Sequence, residues 1–165
     1  MPMIILTCLA SRLSNKQIVW VEDRMEHLTA ASSATGRLTK IKASVDSKGF
    51  IQALDYDQID DVGAYPRAPE PASLYRMHGN LSGAYKVKNI RCRNRVILTN
   101  KTPSGLNRGF GGPQHYFALE RLVHQIAVEL KLNVLDVIKI NLLKKNQFPY
   151  KSPSGALLDL SLIHI

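Results

Sequence analysis

The sequence is poor in cysteine, and its histidines are scattered. The two cysteines, Cys8 and Cys92, are far apart, and neither has the spacing of a metal-binding motif. The five histidines stand singly along the chain, which favours surface or core roles over metal ligation. The sequence therefore argues against a disulfide-stabilised secreted fold and predicts no metal site, and the cytoplasm is the expected compartment.

Apolar runs long enough to span a bilayer are also missing. The apolar segment from Met3 to Ala10 is too short for a transmembrane helix and lacks the charge and cleavage pattern of a signal peptide. Residues 2–13 instead predict a buried helix, because apolar residues recur there at helical spacing. These residues are Ile4, Ile5, Cys8, Leu9 and Leu13.

Familiar catalytic and nucleotide-binding motifs are absent as well. The chain contains neither the phosphate-binding Gly-x4-Gly-Lys-Ser/Thr pattern nor the dinucleotide Gly-x-Gly-x-x-Gly spacing, and no serine stands in a nucleophile turn. The carboxylates of Asp60 and Asp61 are adjacent on a predicted strand, where neighbouring side chains point to opposite faces. We therefore predict no acid–base pair there and no catalytic residue within this sequence.

The net charge of +9 lies entirely in the second half, where residues 83–165 hold thirteen basic and four acidic side chains. No acidic residue occurs between Lys86 and Arg108, a segment with seven cations. This basic segment is typical of a solvated strand face or of a surface for an acidic partner or a phosphate-bearing cofactor; polyanion binding is the alternative. Aromatic residues for base stacking and DNA-binding motifs are lacking, so nucleic acid is not expected as a partner.

The pattern of elements predicts an α+β fold, with a mixed or antiparallel sheet and packed helices. Short strands are predicted at residues 17–22, 37–45, 50–59 and 87–100, with a hairpin turn at Asp46–Gly49. In the strand 37–45 the inward positions are predicted to be Leu38, Ile41, Ala43 and Val45. Residues 23–31 are helical or irregular, and the proline-bearing stretch 60–82 is irregular. A helix is predicted at 113–130, followed by a short one capped by Asn133. The first of these helices has an apolar stripe that is predicted to face the core, formed by Leu119, Leu122, Val123, Ile126, Ala127 and Leu130.

The most informative stretch is the glycine-rich segment 102–117. Four glycines surround Arg108 and lead into Pro113, a residue that suits the first turn of a helix. Glycines permit positive φ and close approach of a ligand to the backbone, and the helix N-terminus favours negative charge. The segment therefore predicts a cradle for an anion or a polar cofactor group, with Arg108 as its side-chain donor. A turn that only redirects the chain is the alternative.

The order of these motifs resembles the molybdopterin-binding large subunit of the xanthine dehydrogenase and aldehyde oxidase family, from about Leu9 to Asp159. The most specific match is Thr99–Gly105 leading into Arg108-Gly-Phe-Gly-Gly-Pro-Gln114. The other matching segments are Val19–Arg24 with Glu26-His27, Asp57–Tyr65, Phe117–Arg121, Ile140–Leu142 and Phe148–Gly155.

The resemblance implies a hydroxylase that inserts water-derived oxygen into a C–H bond of an N-heterocycle or an aldehyde, as part of an oligomeric enzyme. It implies a molybdenum–molybdopterin cofactor, in a dinucleotide form, and 2Fe-2S and FAD centres on partner domains or subunits. Arg108, Gly109 and Phe110 match cofactor-binding positions, and Phe110 also matches a wall of the substrate pocket. Arg76 falls where xanthine-oxidising members carry a substrate-orienting arginine.

Several departures from the family pattern limit what the sequence can do alone. Gly109 stands where carbon monoxide dehydrogenases carry a copper-bridging cysteine, which implies that carbon monoxide is not oxidised. The upstream Gly-Gly-Phe-Gly loop and the downstream general-base glutamate of the family are missing. We therefore expect residues 1–159 to be the central part of a molybdopterin-binding domain, inactive alone, and 160–165 to be a tail outside the family pattern. An inactive assembly module or a polyanion-binding domain is the alternative function.

Overall fold

The computed structural model describes residues 2–34, 36–68, 76–109 and 111–159. They form two compact units, Met1–Ala31 and Ser32–Ile165. Among the described residues, none of the helices combines the length and the apolar character needed to cross a membrane.

The first unit contains two helices, α1 (Pro2–Ser14) and α2 (Arg24–Ala30). The predicted helix at residues 2–13 is confirmed, but its predicted burial is wrong, because Ile4 and Leu13 are 65% and 78% exposed. A unit this short has too few apolar side chains to cover the helix. The predicted strand at 17–22 is also wrong, since no described strand pairs with it. α2 begins instead at a capping box, in which Asp23 accepts from the Glu26 N–H and Glu26 accepts from the Asp23 N–H.

The second unit is built on a three-stranded sheet in the order β1–β2–β3. Its strands are β1 (Gly36–Val45), β2 (Ile51–Asp61) and β3 (Asn89–Ile97). β1 and β2 form the predicted hairpin, closed by a turn in which Gly49 has φ +82° and the Asp46 carboxylate accepts from the Lys48 and Phe50 N–H groups. β2 pairs with β3 in parallel, from Ala53 opposite Asn89 to Asp61 opposite Ile97. The sheet is therefore mixed, and the predicted α+β class is confirmed.

Two helices follow the sheet in sequence. Helix α3 (Gly112–Leu130) buries Leu119, Val123, Ile126 and Ala127 in the core, as predicted. Helix α4 (Val134–Asn141) begins where the Asn133 side chain accepts from the Leu135 N–H at 2.8 Å, also as predicted. The remaining elements are two 3-10 helices, Arg76–Asn80 and Lys145–Gln147, and the short strands β4 (Tyr150–Lys151) and β5 (Leu157–Leu158).

The core lies between one face of the sheet and α3. Alternate residues of β2 face it, and they change from apolar (Leu54, Tyr56) to polar (Gln58, Asp60) towards the end of the strand. One inward position in β1 was predicted wrongly: Leu38 is 62% exposed. The side chain of its neighbour Arg37 is only 3% exposed, because it pairs with the buried Asp60. In β1 the residues that face the core are therefore those in phase with Arg37, and Leu38 faces outward.

Candidate functional site

The glycine-rich segment leaves β3 and is tied at its base to the end of β2. The Ser104 N–H donates to the Val62 carbonyl at 3.0 Å, and the Ala64 N–H donates to the Lys101 carbonyl, also at 3.0 Å. The Gly105 N–H donates to the Ser33 carbonyl at 2.8 Å. Backbone hydrogen bonds therefore hold the start of this loop against two other parts of the unit.

The turn into α3 requires glycine at two positions. Gly109 has φ +99°, and Gly111, which caps the helix, has φ +82°. A Cβ atom added to Gly109 would lie 2.7 Å from Cδ of Pro113. The Gly112 N–H donates to the Gly109 carbonyl at 2.8 Å, which closes the turn directly before the helix. Any side chain at Gly109 would therefore meet both an unfavourable dihedral angle and a clash.

The loop borders a concavity of about 140 Å³ at the N-terminal end of α3. Its lining contains one charged residue, Arg108, together with polar and small residues. Arg108 is exposed, and among the described residues it has no carboxylate partner. The remaining lining residues are Ala34, Gly105, Asn107, Gly111, Pro113 and Gln114. An unpaired guanidinium beside a helix N-terminus, with no acid in the lining, fits an anionic or oxygen-rich group.

The structure brings only some of the predicted site residues together. Arg108 and Gly109 lie on the loop as predicted, whereas Phe110 lies outside the described residues. Arg76 begins the 3-10 helix Arg76–Asn80, and its side chain lies outside the described part as well. In the described part of the chain, no group of three or more His, Cys, Asp or Glu side chains could hold a metal ion.

Sequence reasoning missed a buried polar layer next to this loop. The Arg37 guanidinium donates to both oxygens of Asp60, at 2.6 and 2.9 Å, and Asn94 donates to Asp60 at 2.9 Å. Tyr56 and His115, both fully buried, contact the same carbonyl of Leu81. The available signal was the placement of Gln58 and Asp60 at inward positions of a strand, since buried polar side chains need partners.

Acidic side chains on β2 pair with much of the basic segment. On the exposed face of the sheet, Arg91 donates to Asp55, and Arg93 and Arg95 donate to Asp57. The hydrogen bond from Arg93, followed by that from Arg95, lowers the pKa of Asp57 to about 2. Together with the pair of Lys101 and Asp61, four of the seven cations of the basic segment therefore have a carboxylate partner, which weakens the case for a polyanion-binding stripe.

Asp60 and Asp61 do point to opposite faces, as predicted. Asp60 is fully buried with Arg37, whereas Asp61 accepts from Lys101, Thr99 and the Gly63 N–H. The hydrogen bond from Lys101 is the largest of several influences that lower the pKa of Asp61 to about 2. Each carboxylate is therefore committed to a structural contact.

Known proteins match nearly the whole chain. The 6-hydroxypseudooxynicotine dehydrogenase complex subunit gamma of Paenarthrobacter nicotinovorans is 31% identical over 141 residues, which cover 86% of this chain and 18% of that protein. The carbon monoxide dehydrogenase large chain of Hydrogenophaga pseudoflava is 25% identical over 99% of this chain and 21% of its own length.

A solved structure shows the same arrangement. Quinoline 2-oxidoreductase from Pseudomonas putida 86 matches with a TM-score of 0.88 at 29% identity, over 96% of this chain and 20% of that one. The chain thus spans about a fifth of the length of these relatives. The family model described as molybdopterin cofactor-binding domain matches residues 1–142. With this match over most of its length, the chain belongs to the family of molybdopterin cofactor-binding domains found in molybdenum-dependent dehydrogenases and oxidases.

Proposed function

We propose that the complete protein carrying this chain is a molybdenum hydroxylase that oxidises an N-heterocycle or an aldehyde with oxygen derived from water. When bound, the molybdenum–pterin cofactor supplies the two-electron redox chemistry. Iron–sulfur and flavin centres on other domains or subunits carry the electrons away. The observation that carries the proposal is the unpaired Arg108 on the rim of an acid-free concavity, within a chain of this family.

Within this proposal, the loop acts as a binding element. The Arg108 guanidinium donates to an oxygen-rich group of the cofactor, and glycine at position 109 permits the φ of +99° that shapes the turn beside Arg108. Phe110 forms a wall of the substrate pocket, and Arg76 orients the substrate through its guanidinium. The chain itself contributes no general base, so it binds and orients but does not complete the reaction alone.

The names of two relatives favour a nitrogen heterocycle within the proposed substrate class. One is a 6-hydroxypseudooxynicotine dehydrogenase subunit and the other a quinoline 2-oxidoreductase. Gly109 offers no thiolate for copper, and we propose that the enzyme does not oxidise carbon monoxide, although a carbon monoxide dehydrogenase chain is among its relatives. We further propose that it works in the cytoplasm, as an oligomer that includes iron–sulfur and flavin subunits or domains.

Substitution of Arg108 in the complete protein tests this proposal. Arg108→Ala should lower the molybdenum content or the turnover severely, roughly a hundredfold in kcat/KM, while the far-UV circular dichroism stays unchanged, because the exposed side chain supports no packing. Arg121→Ala is the matched control, since this exposed arginine lies on α3 but does not line the concavity. Wild-type metal content and turnover in Arg108→Ala would remove Arg108 from the site.

A further inference from the structure

Two buried donors converge on one backbone carbonyl next to the site. The Tyr56 hydroxyl donates to the Leu81 carbonyl at 2.9 Å, and Nε2 of His115 lies 3.1 Å from the same oxygen. Tyr56 and His115 are fully buried, and Leu81 is 4% exposed. A carbonyl oxygen can only accept, so Nε2 of His115 carries a hydrogen and donates it.

The protonation state of His115 follows from its surroundings. Burial lowers the pKa of its imidazole, and the nearby charges of Arg37 and His78 act in the same direction, whereas the bond to Leu81 opposes them. The ring is therefore neutral near pH 7, with its single hydrogen on Nε2. The imidazole also packs against Tyr56 and Tyr116, with ring centroids 5.2 and 5.4 Å apart. These two neighbouring rings restrict the orientation of the imidazole.

His115 joins the two segments that carry the proposed ligand-binding residues. Its own N–H donates to the Gly111 carbonyl at 3.2 Å, so it lies in the first turn of α3, directly after the glycine-rich loop. Leu81 directly follows the 3-10 helix Arg76–Asn80. A second, longer contact runs the same way, from Asn80 Nδ2 to the Tyr116 hydroxyl at 3.4 Å.

We propose that His115 is a positioning residue, which holds the 3-10 helix Arg76–Asn80 in a fixed place relative to the loop Arg108–Gly111 through the Leu81 carbonyl. It touches neither substrate nor cofactor. Its effect rests on the proposed function, because the 3-10 helix then carries the substrate-orienting arginine and the loop carries the cofactor-binding one. A displacement of one segment against the other by a fraction of an ångström lowers the rate of a reaction that depends on both.

Substitution of His115 by glutamine or by asparagine separates the roles of the two ring nitrogens. In His115→Gln the side-chain amide reaches the position of Nε2 and can still donate to Leu81, whereas in His115→Asn it ends near Nδ1 and cannot. Val123→Ala is the matched control, since Val123 is fully buried two turns further along α3 and its truncation loosens the core without removing a hydrogen bond to Leu81.

Two measurements on the complete, cofactor-loaded protein test the inference. Hydrogen–deuterium exchange should be faster in residues 76–85 of His115→Asn than in the wild type, and close to the wild type in His115→Gln. Steady-state kinetics should show roughly tenfold lower kcat/KM in His115→Asn, mainly through KM, with unchanged molybdenum content and with recovery in His115→Gln.

Each outcome decides the matter. Unchanged exchange at residues 76–85 in His115→Asn, or an equal rise of KM in Val123→Ala, would overturn the positioning role and leave the proposed function standing. A wild-type protein without molybdenum and without hydroxylation would instead remove the proposed function, and the kinetic part of the inference with it.

Discussion

Breaking the buried ion pair between Arg37 and Asp60 should be among the most destabilising single changes in the second unit. Both side chains are almost fully buried, at 3% and 0% exposure, and two hydrogen bonds join them. Arg37→Met would leave the Asp60 carboxylate buried without a cation. Loss of one partner of a buried pair costs about 3–5 kcal/mol, so the free energy of unfolding should fall by about that much.

A double-mutant cycle measures this coupling. The double variant Arg37→Met with Asp60→Leu removes both charges together, and its loss should be clearly smaller than the sum of the two single losses. Urea unfolding followed by circular dichroism gives each free energy from the midpoint and the slope.

The matched control is a surface pair of the same geometry. Arg91 donates two hydrogen bonds to Asp55, but the Arg91 side chain is 80% exposed. Arg91→Met should therefore cost far less, because solvent screens exposed pairs. An equal loss in Arg37→Met and Arg91→Met, or a double variant that loses the full sum, would show that burial does not determine the contribution of the Arg37–Asp60 pair.

Three further predictions concern the loop, the exposed carboxylates and the core. Gly109→Ala should lower both the free energy of unfolding and the molybdenum content. Gly155→Ala is the control, because Gly155 has a φ of +101° with open space around it and so carries the strained dihedral angle without the clash. An equal loss of stability in the two variants would show that contact with Pro113 is unimportant. The pKa of Asp57 is lowered to about 2 from an ordinary 3.8, so its ion pairs contribute stability that is present above pH 4 and is lost as the pH falls through 2. Thermal midpoints between pH 5 and 2 should therefore decline less steeply in Asp57→Asn than in the wild type. Parallel curves would contradict this. Gln58→Met should raise the free energy of unfolding by about 1–2 kcal/mol, since Gln58 is fully buried and, within the described ranges, neither atom of its amide has a hydrogen-bond partner; a loss on urea unfolding would point to a partner such as buried water.

Local patterns predicted the elements whose signals are themselves local. The Asp46–Gly49 turn, the apolar stripe of α3 and the Asn133 cap each depend on residues within a few positions of one another, and each is present. The strand predicted at residues 17–22 failed for the converse reason. Its β-branched and aromatic residues suit a strand, but a strand also needs a neighbour to pair with, and no described segment supplies one.

The candidate site was predictable only in its loop. Arg108 and Gly109 stand in a glycine-rich motif that is visible in the sequence. The family resemblance, which the match over residues 1–142 confirms, identified this motif as a candidate cofactor-binding loop. The convergence of Tyr56 and His115 on Leu81 joins residues that are 25 and 34 positions apart in sequence. Such contacts depend on the parallel register of β2 and β3 and on the packing of α3, which local periodicity does not encode.

The parallel pairing of β2 with β3 has a consequence for the newly made chain. Strand β2 can gain β3 as its second neighbour only after Arg91, which lies 36 positions beyond Asp55, has been synthesised. At roughly 5–20 residues per second, translation leaves that strand edge uncovered for on the order of several seconds. During this interval the charged side chains of the hairpin, Asp55 and Asp57 with Lys42 and Lys40 opposite them, disfavour pairing of the open edge with another chain.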